Sequence, residues 1–328
     1  MGKKKRKTRN YQKQQAVQTV VQLHDEPKLN EHQQQAVDTT EGPLLLIAGA
    51  GSGKTYTILR RIAHLIMDKH VSPYNILAVT FTNKAAAEMK ERLAQILGPT
   101  IAMPTVCTFH SFGAMAVNRF YDSIGYKKNI SICDAKEWKK RIQEQAKKMD
   151  INETTALEYG AKISRWKDYL IRPEDLVPDE MEYGFEKDAA EFYLEYQKKL
   201  KKDNTMDFDD LIMKTVEALH DEKVLSYFQN RYLYITVDEY QDTSHAQFEL
   251  MRLLADRNKN ICVVGDDYQS IYAFRGADIS NILDFQQVYP HSKKIVLGEN
   301  YRSTQTIVNA VWKQRLLRST VWVLFQSV

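Results

Sequence analysis

Apolar positions fall along this chain in two rhythms, and the switch between them marks its organisation. Leu44–Ala48 is a short unbroken apolar run closed by glycines, the pattern of a parallel strand covered on both faces. A helical period follows from about Lys54 to Asp68. Then come a second strand over Ile76–Phe81, a second helix over Lys84–Leu97 and a third strand over Thr105–Phe109. Ahead of the first strand, the polar segment LNEHQQQAV from Leu29 predicts a short helix that ends before a turn at Glu41-Gly42-Pro43. Strands alternating with helices predict a parallel sheet with helices on its faces.

From about Ser111 to Lys202 the rhythm changes. Charged segments of helical period dominate over Asp134–Lys148, Thr154–Trp166 and Lys187–Lys202, and strand-like runs nearly vanish. Alternation returns with Tyr232–Val237, Asn260–Gly265 and Lys294–Leu297. The pattern predicts a helical subdomain inserted into an α/β lobe. The expected division is a basic leader over 1–28, the lobe over 29–112, the insert over 113–203, the rest of the lobe over 204–310 and an atypical tail over 311–328.

Composition narrows the class. With 43% hydrophobic and 27% charged residues, 13 Gly and 8 Pro, a collagen-like, disordered or small disulfide-rich chain is excluded. No run of about 18 apolar residues predicts a transmembrane helix, and no apolar segment follows the basic N-terminus as a secretory signal would require. Cys107, Cys133 and Cys262 lie far apart, which reads as reduced thiols in a cytoplasmic protein without a membrane partner. The formal net charge of +4 is unevenly spread. Residues 1–14 of the leader hold Lys3, Lys4, Lys5, Arg6, Lys7, Arg9 and Lys13 and no acid, so they carry +7 and the remaining chain −3. The leader reads either as a solvated extension or as an arm that neutralises phosphates and releases counterions.

Three strand ends carry candidate chemistry. Ala48-Gly49-Ala50-Gly51-Ser52-Gly53-Lys54-Thr55 lies between a strand and a helix, the context a phosphate loop requires, with Ala48 where the usual pattern has glycine. Its backbone N–H groups and the helix N-terminus suit phosphates. Lys54 can reach the β- and γ-phosphates, and Thr55 can ligate Mg²⁺. Ile235–Val237 delivers Asp238, a carboxylate for a hard cation, and Glu239, placed to polarise an attacking water. Val263–Gly265 leads to Gln269, a candidate partner of the γ-phosphate or that water.

These motifs, in this order, resemble the N-terminal half of UvrD/Rep/PcrA-type superfamily 1 DNA helicases from about Leu29 to Asn309. Leu29–Val37 is similar to the glutamine motif, Ala48–Thr55 to motif I, Thr80–Ala86 to motif Ia and Thr108–Ser111 to motif Ib. Asp207–Leu211 is similar to the segment that re-enters the first lobe. Val237–Ser244 is similar to motif II, Val264–Ala277 to motif III and Asn300–Thr304 to motif IV. The resemblance implies a P-loop NTPase (RecA-like) parallel sheet with an inserted all-helical subdomain. It implies an ATP-dependent DNA helicase with ATP and Mg²⁺ as ligands, moving 3′ to 5′. The implied partners are single-stranded DNA, 3′-tailed duplex DNA and proteins of DNA repair.

By the same resemblance, Gln33 reads the adenine and Tyr301 stacks on it. Residues Ala48, Gly49, Ala50, Gly51, Ser52, Gly53, Lys54, Thr55 and Tyr56 line the nucleotide, and Arg302 contacts the γ-phosphate. Asp238 and Thr55 hold the metal, Glu239 activates water, and Gln269 couples the γ-phosphate to DNA. Phe81, His110, Phe208, Tyr272, Phe274 and Arg275 fall at DNA-contact positions, where stacking on aromatics tolerates any base sequence. Two positions depart from the family: Tyr56 replaces a common arginine and Phe274 a common tryptophan. The family continues into a second RecA-like lobe with motifs V and VI. Trp312–Phe325 is not similar to that continuation and reads as a truncated or shifted frame, or as an amphipathic docking helix. A motor lacking its second lobe is expected to bind ATP weakly and unwind little. The resemblance also leaves room for a binding module that acts through a partner chain, and for the helicase part of a helicase–nuclease.

Overall fold

The computed structural model describes residues 28–266 and 285–302. The first unit is a short helix α1 (Glu31–Asp38), followed by strand β1 (Leu44–Ala48), helix α2 (Lys54–Met67), β2 (Ile76–Thr80), α3 (Asn83–Leu97), β3 (Thr105–Thr108) and α4 (Phe109–Arg119). Then come β4 (Ser131–Ile132), α5 (Ala135–Lys148), α6 (Glu153–Asp168), α7 (Phe185–Lys202) and β5 (Thr205–Met206). The chain returns through α8 (Phe208–Ala218), α9 (Glu222–Arg231), β6 (Tyr234–Val237), α10 (His245–Ala255), β7 (Ile261–Gly265) and β8 (Lys293–Leu297).

Six strands form one sheet in the order β3-β2-β6-β7-β1-β8, and every neighbouring pair is parallel. The period of two divides their side chains between two cores. Leu45, Leu77, Val79, Ile235, Val237 and Val263 enter the core built with α4, α8, α9 and α10. Leu44, Leu46, Ala48, Ala78, Cys262 and Val264 enter the opposite core with α2 and α3. A third core belongs to α5, α6 and α7, from Ile142 and Ala146 through Ile163 and Trp166 to Tyr196 and Leu200. The two-residue pair β4–β5 lies where the chain enters and leaves these helices.

Five strand limits differ from the sequence pattern by one or two residues, and two of them have a local cause. The third strand stops at Thr108 because the Thr108 side chain accepts from the Ser111 N–H and caps α4, so Phe109 is the first helical residue. Tyr232 does not open β6. It follows α9, its N–H closes on the Phe228 carbonyl, and pairing with β2 begins at Tyr234. Residues 1–27 of the leader and the tail over 311–328 lie outside the described residues.

Candidate functional site

Strands β1, β7 and β6 lie side by side, and their carboxyl ends bring the candidate residues to one edge, where ligands of open α/β sheets bind. β1 runs into the loop 49–53. Gly51 and Gly53 both take left-handed backbone, with φ of 80° and 81°. A Cβ on Gly53 would fall 2.6 Å from Gln33 Nε2, and one on Gly51 would fall 2.7 Å from the Arg302 Cβ. Conformation therefore requires glycine at both positions, and space requires it at Gly51, where the obstacle is a Cβ. Ser52 folds back, its N–H and hydroxyl donating to the Gly49 carbonyl at 3.2 and 2.7 Å. Lys54 and Thr55 open α2, whose first turn has no side-chain cap and no acidic residue. The backbone N–H groups and partial positive charge of a helix N-terminus favour an anion.

Two segments close over the loop. In α1 the Asn30 side chain caps the Gln33 N–H while Gln33 returns to the Asn30 N–H, and buried Gln33 donates Nε2 to the Ser52 carbonyl at 3.1 Å. From the other side, the Tyr301 N–H donates to the Gly51 carbonyl at 2.8 Å and Asn300 Nδ2 to the Ala50 carbonyl at 2.7 Å. Asn30 Nδ2 then donates to the Tyr301 hydroxyl at 2.7 Å, leaving the ring 60% exposed. Gln33, the loop, Tyr301 and Arg302 are thus brought together. Arg61, fully buried, donates to the carbonyls of Ala36, Thr39 and Thr40 and anchors the end of α1 on α2. At position 56 the tyrosine ring lies 6.0 Å from the Arg60 guanidinium carbon, so a cation stands one turn along the helix from the departed arginine.

The acid pair forms the other wall. Burial first, and the Glu239 charge second, push the Asp238 carboxyl up to about 6. Glu239 adopts left-handed backbone at φ 52° without being glycine, a conformation a sharp turn at a functional edge can impose. Lys54 Nζ donates to Glu239 Oε2 at 3.1 Å. Gln241 Nε2 donates to the same oxygen at 2.8 Å, while its Oε1 accepts from the Asp266 N–H at 3.0 Å. Gln241 therefore ties the glutamate to the end of β7. Sequence reading covered Gln241 only as part of Val237–Ser244 and gave it no role, because its partner Asp266 lies at the end of another strand. Asn30 was legible in principle, since Asn-x-x-Gln before a helix is a capping-box signature.

A cleft of about 1150 Å³ separates the lobe from the helical insert. Phe81, His110 and Phe208 line its lobe side, and Trp138, Arg165 and Tyr169 its insert side. His110 and Phe208 stack with ring centres 3.8 Å apart and planes at 22°. Burial lowers the His110 pKa to about 4, so the imidazole is neutral at pH 7. Phe208 is 54% exposed. Tyr169 stacks on His245 at 5.6 Å, an aromatic pair that sequence reading did not single out. Gln269, Tyr272, Phe274 and Arg275 lie outside the described residues.

Sheet, loop and acid pair together define a RecA-like P-loop domain. Residues 29–290 match the family model of the UvrD/REP helicase N-terminal domain, and the chain belongs to that family. It is 47% identical over 286 residues to the ATP-dependent DNA helicase PcrA of Staphylococcus aureus (strain Mu50 / ATCC 700699). It is 46% identical over 286 residues to the protein of that name from Staphylococcus epidermidis (strain ATCC 12228 / FDA PCI 1200). Each match covers 86% of this chain and 39% of the relative, so the chain spans well under half the length of these relatives.

Proposed function

We propose that this chain is the ATP-binding and single-stranded-DNA-binding part of an ATP-dependent DNA helicase or translocase, moving 3′ to 5′ and acting on 3′-tailed duplexes in repair or replication in the cytoplasm. The observation that carries the reading is the meeting of Lys54, Glu239 and Gln241 beside the glycine loop. In the ATP-bound state Lys54 exchanges Glu239 for the β- and γ-phosphates, as a phosphate-loop lysine does. Gln241 keeps hold of Glu239 Oε2 through that exchange. Among the described residues Oε1 has no hydrogen-bond partner, which leaves it to orient water and accept its proton. Gln33 and Tyr301 bracket the adenine, and Arg302 meets the γ-phosphate.

The donors Thr55 and Asp238, a hydroxyl and a carboxylate, fit a hard cation such as Mg²⁺. The raised pKa of Asp238 marks a buried acid that such a cation would stabilise as its carboxylate. When bound, the metal neutralises charge on the phosphates. Single-stranded DNA runs past Phe81 and the His110–Phe208 stack, and bases stack there without sequence preference.

The test is ATP hydrolysis by the full chain with and without oligo(dT). Hydrolysis should rise with oligo(dT). Glu239→Gln should retain binding of a fluorescent ATP analogue while turnover falls about 10²- to 10⁴-fold. Oligo(dT) and ATP that bind without any hydrolysis in the wild type would replace the motor with a binding module that acts through a partner.

A further inference from the structure

Helix α8 begins at Phe208, and its first turn is built on two buried acids. Asp207 caps the helix, its Oδ1 accepting from the Asp210 N–H at 2.9 Å, while Asp210 Oδ2 accepts from the Asp207 N–H at 3.2 Å. This reciprocal box fixes the backbone on both sides of Phe208. The remaining oxygens of both acids point away from the helix to one cation. Lys167 Nζ, from α6 of the insert, lies 2.6 Å from Asp207 Oδ2 and 2.9 Å from Asp210 Oδ1, with all three side chains buried.

Helix α7 completes the enclosure. The Tyr196 hydroxyl donates to Asp207 Oδ2 at 3.0 Å, and Gln197 Nε2 donates to Asp210 Oδ1 at 3.0 Å. The Lys167 ammonium also lies 5.7 and 5.4 Å from the ring centres of Tyr193 and Tyr196. Burial works against the lysine's charge, but the two carboxylates outweigh it and hold its pKa above the ordinary value. On the opposite side, α4 presses close to α8: a Cβ on Gly113 would fall 2.6 Å from the Leu211 carbonyl oxygen. His110 stands one turn before that contact. Phe208 is thus set by the insert behind it and by α4 beside it, while its ring remains in the cleft.

We infer that Lys167 is a positioning residue for the nucleic-acid track, an assignment that rests on the DNA reading of the cleft: by bridging Asp207 and Asp210 it sets the first turn of α8 and holds the Phe208 ring against His110. The insert then does more than roof the cleft. It transmits its own position to a base-stacking ring through the Lys167 ammonium, supported by Tyr196 and Gln197. A merely structural lysine would affect stability alone. A positioning lysine affects DNA binding through Phe208 and leaves the distant nucleotide site as it was.

The experiment measures binding of labelled oligo(dT) and of a fluorescent ATP analogue to the full chain. Phe208→Ala should weaken oligo(dT) binding by roughly 5- to 150-fold, the range expected for one lost base stack. Lys167→Met should weaken it to a similar degree, with ATP-analogue affinity unchanged. The double variant should bind no worse than the weaker single one, because both act through the same ring. Should Lys167→Met fail to fold, Tyr196→Phe removes one bond to Asp207 and should give the same pattern in smaller measure. Oligo(dT) binding unaltered by Lys167→Met, losses that multiply in the double variant, or a parallel loss of ATP-analogue affinity would each overturn the assignment. A wild-type chain that binds no oligo(dT) would sink the DNA reading itself, an outcome distinct from these.

Discussion

At the scale of single residues, the candidate site depends on hydrogen bonds that make one group serve another. Glu239 is the clearest case. Two donors, Lys54 and Gln241, share its Oε2. A phosphate competes for Lys54 but has no claim on Gln241, so the amide alone keeps the carboxylate in place once nucleotide binds. Its other end accepts from the Asp266 N–H, which fixes the amide in turn. Replacing Gln241 with leucine keeps the volume and removes both bonds. Nucleotide affinity should hold, because no proposed phosphate contact is lost. Turnover should fall about 10²-fold, the loss that a displacement near 1 Å produces in a catalytic group. Steady-state kinetics with oligo(dT) separates these effects, and a rise in KM at constant kcat would show that Gln241 acts in binding instead.

At the scale of elements, the sequence was read most securely where local chemistry and burial agree. The apolar run Leu44–Ala48 became a strand of those limits, and helix α2 starts at Lys54 as the glycine signal required. Phe109 shows where such reading ends, because an apolar residue after a strand looks like its continuation. Only the Thr108 cap turns it into a helix. The Lys167 junction was not legible at all. A lone lysine in a charged helix carries no local mark, and its partner Asp207 is 40 residues away. Tyr169 with His245 was hidden in the same way, since that pairing depends on tertiary packing, whereas Tyr56 with Arg60, four residues apart in α2, follows from helical spacing.

The insert offers a direct test of packing against propensity. Gly160 sits inside α6, where alanine would be favoured by about 1 kcal/mol on propensity alone. Yet a Cβ there would fall 2.8 Å from Trp138 Cζ2 and 3.4 Å from Ile142 Cδ1. Overpacking of this kind costs about 1–3 kcal/mol, so packing should win. Gly160→Ala should destabilise the protein by up to about 2 kcal/mol in urea unfolding. Combined with Trp138→Leu, which opens the space, the same change should become stabilising. A stabilising Gly160→Ala in the otherwise unchanged chain would mean that Trp138 swings aside without penalty.

At the scale of the whole molecule, the proposed DNA binding divides between different parts of the chain. Residues 1–14 carry +7 and the rest of the chain −3, so the net charge of that rest does not by itself draw in a polyanion. Contacts in the cleft must therefore be short-ranged: a neutral His110, the exposed Phe208 ring and Arg165 at the insert wall. The leader contributes differently if it meets phosphates, through counterion release, which depends steeply on salt and hardly on base identity. Removing residues 1–14 separates the two contributions. The plot of log affinity for oligo(dT) against log salt should become shallower by at most about 5 units, the limit for seven charges on a single strand. The residual affinity at high salt should remain and should still depend on Phe208. ATP-analogue binding should stay at the wild-type level, because Lys54, Glu239 and Gln33 are held by partners within the described lobe. An unchanged salt slope would make the leader a solvated extension and leave DNA binding to the cleft contacts alone.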